Sequence, residues 1–532
     1  MVTAMHTATP ETKRPCRPGL ARTSALLLAG ALAILSNGCG ETSGTATAPV
    51  ATRLVALHAE PDPVAGGRVV DAEGREVLLR GANVNAYNDY WKGIDFPTVF
   101  PFTGADADRM SEIGWNAVRL LVAWSRVEPA PGAYDEVYLD EVDGAVRELA
   151  ARGIYSVIDL HQDAWSATLA AAPGATCPAG SRPAIGWDGA PAWATLDGGA
   201  ARCAVAGIRE TSPAVRAAWT NFWADAPGPG GVGVRTRYAR MLAHLAARWA
   251  GRPEVAGFDL MNEPNAFGDT EQRQMSAMYG EAITAIRAAE DAAGKGRHLV
   301  FFEPSALWSS NGRGAPPDFP HDADVVYAPH LYTGGFTGGP ISASAFEIAV
   351  EEARAFGGAP IFSGEWGAGP ERASDPTDGY FLSHQALQDR FHAGATIWTW
   401  RESCGDPHKS GPILNGEIPG VWGEFEVDCR TNAILGERTD LVDDLTRGYL
   451  RAAPGRIGQA TYDDRTGEFA ASGEAAPRGA ELVAFYPAAK HGAPAIEATG
   501  LSDVRTESAP GGQGFLVGRA LGGVWSIVAR PR

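Results

Sequence analysis

Eight short runs rich in apolar and β-branched residues recur along this chain: VLLRGANV, AVRLLV, YSVIDL, VAGFDLM, HLVFFEP, VVYAPHLY, APIFSGEW and GATIWTW. Polar residues follow each run, and helix-period segments such as LDEVDGAVRELAARG and TRYARMLAHLAARWAG separate them. A strand continuously apolar over its length is covered on both faces, which alternating helices do for a parallel sheet. Eight such units predict an α/β fold, a (β/α)8 TIM barrel. A doubly wound sheet is the competing topology, but no Gly-rich phosphate loop opens any of the helices. From about residue 455 the pattern changes to short alternating runs with frequent Gly and Pro, which predicts a small C-terminal antiparallel β-sandwich.

Barrel enzymes carry their chemistry at the C-terminal ends of the strands. Arg119 lies in the second run, His161, Gln162 and Asp163 close the third, and Asn262 and Glu263 follow the fourth. His330 and Tyr332 end the sixth, Glu365 the seventh, and Trp398 and Trp400 the eighth. Taken singly, each has an ordinary explanation as packing, a solvated charge or a salt-bridge partner. Their convergence on one face has none. Glu263 and Glu365 stand three strands apart and face each other across the barrel mouth, and two opposed carboxylates are what glycoside hydrolysis requires. A nearby carboxylate is expected to raise the pKa of Glu263 and keep it protonated, while Arg119 keeps Glu365 ionised.

The formal net charge of -18 and pI near 5.1 exclude nucleic acid as a partner, and a neutral substrate fits the balance better. No Cys-x-x-Cys or Cys/His spacing marks a metal site, and neither metal nor cofactor is expected.

LMNEP on the fourth strand, PHLY on the sixth, GEWG on the seventh and WTW on the eighth resemble glycoside hydrolase family 5. Within it, VRLLVAWSRVEPAPGAYDEVYLDEV, IDLHQDAWS, GAPAWAT and FDLMNEP are similar to endoglycoceramidases. The resemblance implies a retaining endo-β-glycosidase acting on the bond between glycan and ceramide in glycosphingolipids presented in membranes or micelles, with no obligate protein partner. It implies Glu263 as acid/base and Glu365 as nucleophile, with Asn262 bonding the sugar 2-hydroxyl. Arg119 and Tyr332 would orient the nucleophile, and His161 and His330 would line the site. Asp163 would bind the sugar nearest the cleaved bond, a strand-eight tryptophan (Trp398 or Trp400) would form its floor, and Lys92 corresponds to a sugar-contacting lysine. For the lipid side, the long third loop offers WSATLAAAP and WDGAPAWATL. A glycosidase for another apolar glucoside such as a steryl glucoside, an endo-β-glucanase, and a carbohydrate- or lipid-binding surface protein are the alternatives.

Basic residues Lys13, Arg14, Arg17 and Arg22 precede SALLLAGALAILS, an apolar run too short to span a bilayer, which reads as an export signal. LSNGC then resembles a bacterial lipoprotein signal with Cys39 as the lipidated residue, anchored at the cell surface, and ordinary secretion is the alternative. The expected organisation is an export signal at 1–39, a flexible linker at 40–60, the barrel at 61–450 and the sandwich at 451–532. In an oxidising compartment the remaining four cysteines suggest two disulfides, and proximity favours Cys177 with Cys203 and Cys404 with Cys429.

Overall fold

The computed structural model describes residues 52–317, 322–335, 341–374, 379–409 and 420–532. The expected export signal, Cys39 and most of the linker lie outside the described residues.

Eight parallel strands, Arg80–Val84, Ala117–Ala123, Tyr155–His161, Val255–Asp259, Leu299–Phe302, Val325–Tyr327, Phe362–Trp366 and Gly394–Ile397, follow one another around the sheet in chain order, and the first pairs with the eighth. A bridge between Tyr327 and Ile361, with the Tyr327 N–H donating to the Pro360 carbonyl at 2.9 Å, joins the sixth strand to the seventh and closes the barrel. The second and third strands are buried at every position. One face carries Val118, Leu120 and Val122 into the surrounding helices. Helix Glu136–Ala150 shows how the outer layer forms: Asp135 caps its first turn, and Tyr138, Leu139, Val142, Val146 and Leu149 recur at helical spacing on its buried side.

Along the barrel axis the interior changes character. Val157, Leu299, Phe301, Val326 and Phe362 fill the end where the strands begin, whereas Arg119, Asp159, Asp259 and Glu303 occupy the other end. The apolar end fixes the strands, and the polar end faces the loops.

The third-loop insertion folds as a hairpin, Ser181–Pro183 with Cys203–Val205, pinned by the Cys177–Cys203 disulfide and followed by helix Pro213–Trp223. Trp219, Phe222 and Trp223 pack around Trp165 and bury the insertion on the barrel. Trp165 and Leu169, expected as candidates for a lipid-facing surface, are thereby consumed in the core. The second disulfide joins Cys404 to Cys429, as expected.

The C-terminal β-structure extends beyond 451–532. Strands Leu57–Glu60, Arg68–Asp71 and Arg75–Val77, which precede the barrel, join Tyr449–Pro454, Glu481–Tyr486, Gly514–Ala520 and Leu501–Ser508 in one seven-stranded sheet. Three- and four-residue strands carry too little periodicity to announce such a distant partner. A four-stranded sheet covers one face through Phe469, Leu482, Tyr486, Leu516, Trp525 and Ile527. The other face, with Val77, Phe485, Phe515 and Val517, seals the apolar end of the barrel.

Candidate active site

Arg119 organises the polar end. Its side chain is wholly out of water and donates through Nε to Asp259 (3.0 Å), and through Nη1 to Asn83 (3.0 Å) and Glu365 (3.1 Å). Nη2 reaches Asn262, Glu303 and Asp159, each at 2.9 Å. One guanidinium cannot neutralise four buried carboxylates, so protons make up the difference. Burial pushes the Glu303 carboxyl up to about 8, and His330, flanked by Glu303 and Glu365, is held well above the ordinary range despite its burial.

Glu365, at the end of the seventh strand, also accepts from the Tyr332 hydroxyl at 2.8 Å. Glu263 follows the fourth strand with φ +37°, a conformation rare outside glycine. Neighbouring bonds hold it there: its N–H donates to Glu303 Oε2 at 2.9 Å, and the Gln162 amide donates to the carbonyls of Asn262 (2.6 Å) and Glu263 (3.0 Å). His330 Nδ1 lies 2.9 Å from Glu263 and 3.4 Å from Glu365, and one ligand atom from each of these three residues falls within 4.8 Å of the others.

This geometry corrects the expected state of Glu263. Burial pushes its carboxyl up, but the hydrogen bond and charge of His330, with Arg209, outweigh burial and hold it below the usual range. The neighbouring carboxylate does not dominate because an imidazolium stands between the two acids.

On the other side of the mouth, His161 Nδ1 is bonded to Asp159 at 2.7 Å and its ring is stacked with Trp398, centroids 5.5 Å apart. Asp163 lies between two cationic groups, His408 Nε2 at 2.5 Å and Arg209 Nη1 at 2.6 Å. Asp406 fixes the opposite nitrogen of His408 at 2.8 Å, and Tyr90, Trp187 and Trp398 pack around its ring. Asn262 accepts from Arg119 at its amide oxygen and donates one amide hydrogen to the Gln162 carbonyl at 3.0 Å, which leaves one amide hydrogen for a ligand.

Two expected residues are not brought to the cluster. Trp400 points away, its Nε1 donating to Asp106 at 3.0 Å and its ring against Trp115 and Phe425. The eighth strand ends at Ile397, so strand alternation no longer puts residues 398 and 400 on one side. Lys92 is 77% exposed and pairs with Asp89 at 3.5 Å on a long surface loop.

Glu303, Asp159, Asp259, His408 and Arg209 are the participants that sequence reasoning passed over. Glu303 ends the fifth run and was accessible to the same strand-end argument. Asp159 falls two residues before His161, on the same strand face. His408 and Arg209 come from irregular loops and carry no such signal.

Among the described residues, three groups have the spacing to receive a metal ion: His161, Asp163 and His408; Glu263, His330 and Glu365; Glu402, Asp406 and His408. In the first two, histidine or arginine contacts already satisfy the carboxylates.

A polar barrel mouth with two glutamates this close is the arrangement of a glycoside hydrolase. Residues 70–403 match the family model described as Cellulase (glycosyl hydrolase family 5), and the chain belongs to that family. A solved structure of an endogalactoceramidase is similar, with 36% identity and a TM-score of 0.77 over 90% of this chain and 100% of that one. The lactosyl-enzyme intermediate of endo-glycoceramidase II from Rhodococcus sp. superposes with a TM-score of 0.64 at 26% identity, over 87% of this chain and 99% of that one. Endoglycoceramidase I of Rhodococcus hoagii (strain 103S) is 30% identical over 301 residues, 53% of this chain and 54% of that protein. The chain spans about half the length of the curated relatives it matches.

Proposed function

We propose that this chain is a retaining endo-β-glycosidase that hydrolyses the bond between the glycan and the ceramide of glycosphingolipids. The observation that carries the reading is the approach of Glu263 and Glu365 around His330, within 4.8 Å at their nearest ligand atoms. Retaining enzymes hold their carboxyl groups about 5 to 5.5 Å apart, and inverting enzymes need room for a water between them.

Glu365 attacks the anomeric carbon while a proton passes through Glu263 to the ceramide oxygen, and the C–O bond breaks to leave a glycosyl ester. Glu263 then takes a proton from the water that attacks the ester, which returns Glu365 to its charged form. The proton needed for departure is held in the chain Glu263–His330–Glu303, where His330 Nε2 lies 3.1 Å from Glu303. Asp163, His161 and Trp398 receive the sugar.

The lipid is accommodated on the acid/base side. Phe267 and Leu307 are both exposed, on the loops that follow the fourth and fifth strands, and the Ala306 N–H ties those loops together by donating to the Pro264 carbonyl at 3.0 Å. Similarity to ceramide-glycan hydrolases supports this class of substrate, presented in micelles or membranes. Export to an oxidising compartment fits the two disulfides, the protein being either secreted or anchored through a lipidated Cys39. A mature N-terminus beginning downstream of Cys39, found by mass spectrometry, would exclude the anchor. The barrel, up to about residue 450, holds the chemistry, and the sandwich after it, joined by residues 57–77, braces its closed end.

Lactosylceramide is expected to yield intact lactose and free ceramide in one step on thin-layer chromatography. Galactose and glucosylceramide appearing first would make the enzyme exo-acting and overturn the proposal.

A further inference from the structure

Among the residues around Glu263, one cation arrives from outside the barrel. The third-loop hairpin, pinned by Cys177–Cys203, continues through Ala206 and Gly207, with φ +52° and +85°, into Arg209. From there the guanidinium spans two strands. Nη1 lies 2.6 Å from Asp163 Oδ1 at the end of the third, and Nη2 lies 3.4 Å from Glu263 Oε2 after the fourth. Its plane is carried over the Trp187 ring, 4.5 Å from the centroid, and its outer edge pairs with Glu210. A rigid fork stacked on an indole fixes a carboxylate more firmly than a mobile ammonium would.

We propose that Arg209 is a positioning residue that couples sugar recognition to proton delivery, holding Asp163 for the sugar hydroxyls while setting the charge that Glu263 experiences. This rests on the reading of Glu263 as the acid/base. Glu263 is faced by His330 from the sixth strand, Glu303 from the fifth, Glu365 from the seventh, Asp163 from the third and Arg209 from the hairpin. Arg209 is itself faced by Asp163, Glu210 and Glu263. His330 is shared with two further carboxylates, whereas the Arg209 charge is permanent.

The test is the pH profile of kcat/KM on lactosylceramide in detergent micelles, a substrate whose alcohol must be protonated to leave. Arg209→Met is expected to move the basic limb upward by about 1 pH unit, because an opposite charge at this distance favours the ionised acid. Arg209→Lys should keep the limb near that of the parent while raising KM about tenfold, since the charge stays and the fork is lost. Glu210→Gln, which frees the guanidinium from its outer partner, should move the limb downward and provides the reading should Arg209→Met fold poorly. A limb unmoved in Arg209→Met, or in Glu210→Gln where that is the variant available, overturns the proposal, as does an Arg209→Lys limb displaced as far as that of Arg209→Met. Glu263→Gln measured alongside separates the two ideas: a basic limb surviving in that variant removes Glu263 as the acid, whatever Arg209 does.

Discussion

The guanidinium of Arg119 donates to Glu365 at 3.1 Å from a side chain wholly withdrawn from water, and three further carboxylates share the same cation. Removing a buried partner leaves uncompensated charge, so Arg119→Met should lower unfolding stability by about 3 to 5 kcal/mol at neutral pH. The freed carboxylates would take up protons in the folded state more readily than in the unfolded chain. Stability then rises as pH falls, and the deficit should shrink between about pH 7 and 5. Denaturant midpoints at the two pH values check this; a deficit that widened on acidification would contradict it.

Glu263→Gln and Glu365→Gln should fail differently. Loss of the nucleophile removes nearly all turnover. Loss of the acid spares substrates whose leaving group departs without a proton, so Glu263→Gln should retain much of its first-step rate on an activated aryl glycoside while losing about 100-fold or more on lactosylceramide. Equal losses on both substrates would reverse the assignment of roles.

Hydrolysis should proceed with net retention of anomeric configuration, because Glu263 and Glu365 leave no room for an intervening water. Proton NMR of the first sugar released from a β-linked substrate should show the β-anomer. An initial α-anomer excludes the double-displacement route.

Phe267→Ser with Leu307→Ser should raise KM for micellar glycolipid several-fold and leave that for a soluble aryl lactoside unchanged, since both side chains are exposed on loops beside Glu263. Parallel effects on the two substrates would move the lipid to another surface.

The Cys404–Cys429 disulfide closes 25 residues and stands two positions before Asp406 and four before His408. Replacing both cysteines by serine should cost about 3 kcal/mol through the freed unfolded chain. It should also raise KM, because His408 bonds Asp163 at 2.5 Å from the same loop. Thermal melts and initial rates measure the two effects separately. Loss of stability with KM unchanged would dissociate the loop from sugar binding.

Which parts of this protein could be read from the chain follows from the range of the forces involved. The eight runs announced eight strands because burial on both faces writes an apolar pattern locally, and Glu263, Glu365, Asp163 and His330 were legible because a strand end is itself a local feature. Cys177 with Cys203 and Cys404 with Cys429 were near in sequence and near in space. What the tertiary structure decided was every relation across distance. Strands 57–77 found partners near residue 450 because a sheet edge needs hydrogen bonds whatever its place in the chain. Trp398 turned to His161 while Trp400 turned to Asp106, an outcome fixed where the strand ends and alternation no longer applies. Arg209 and His408 reached Asp163 from two loops whose patterns say nothing of their ends. The charge state of Glu263 depended likewise on His330 and Arg209 meeting it from separate elements. Periodicity records which faces are buried, whereas electrostatics depends on which charges meet, and in this protein they meet only once the barrel has closed.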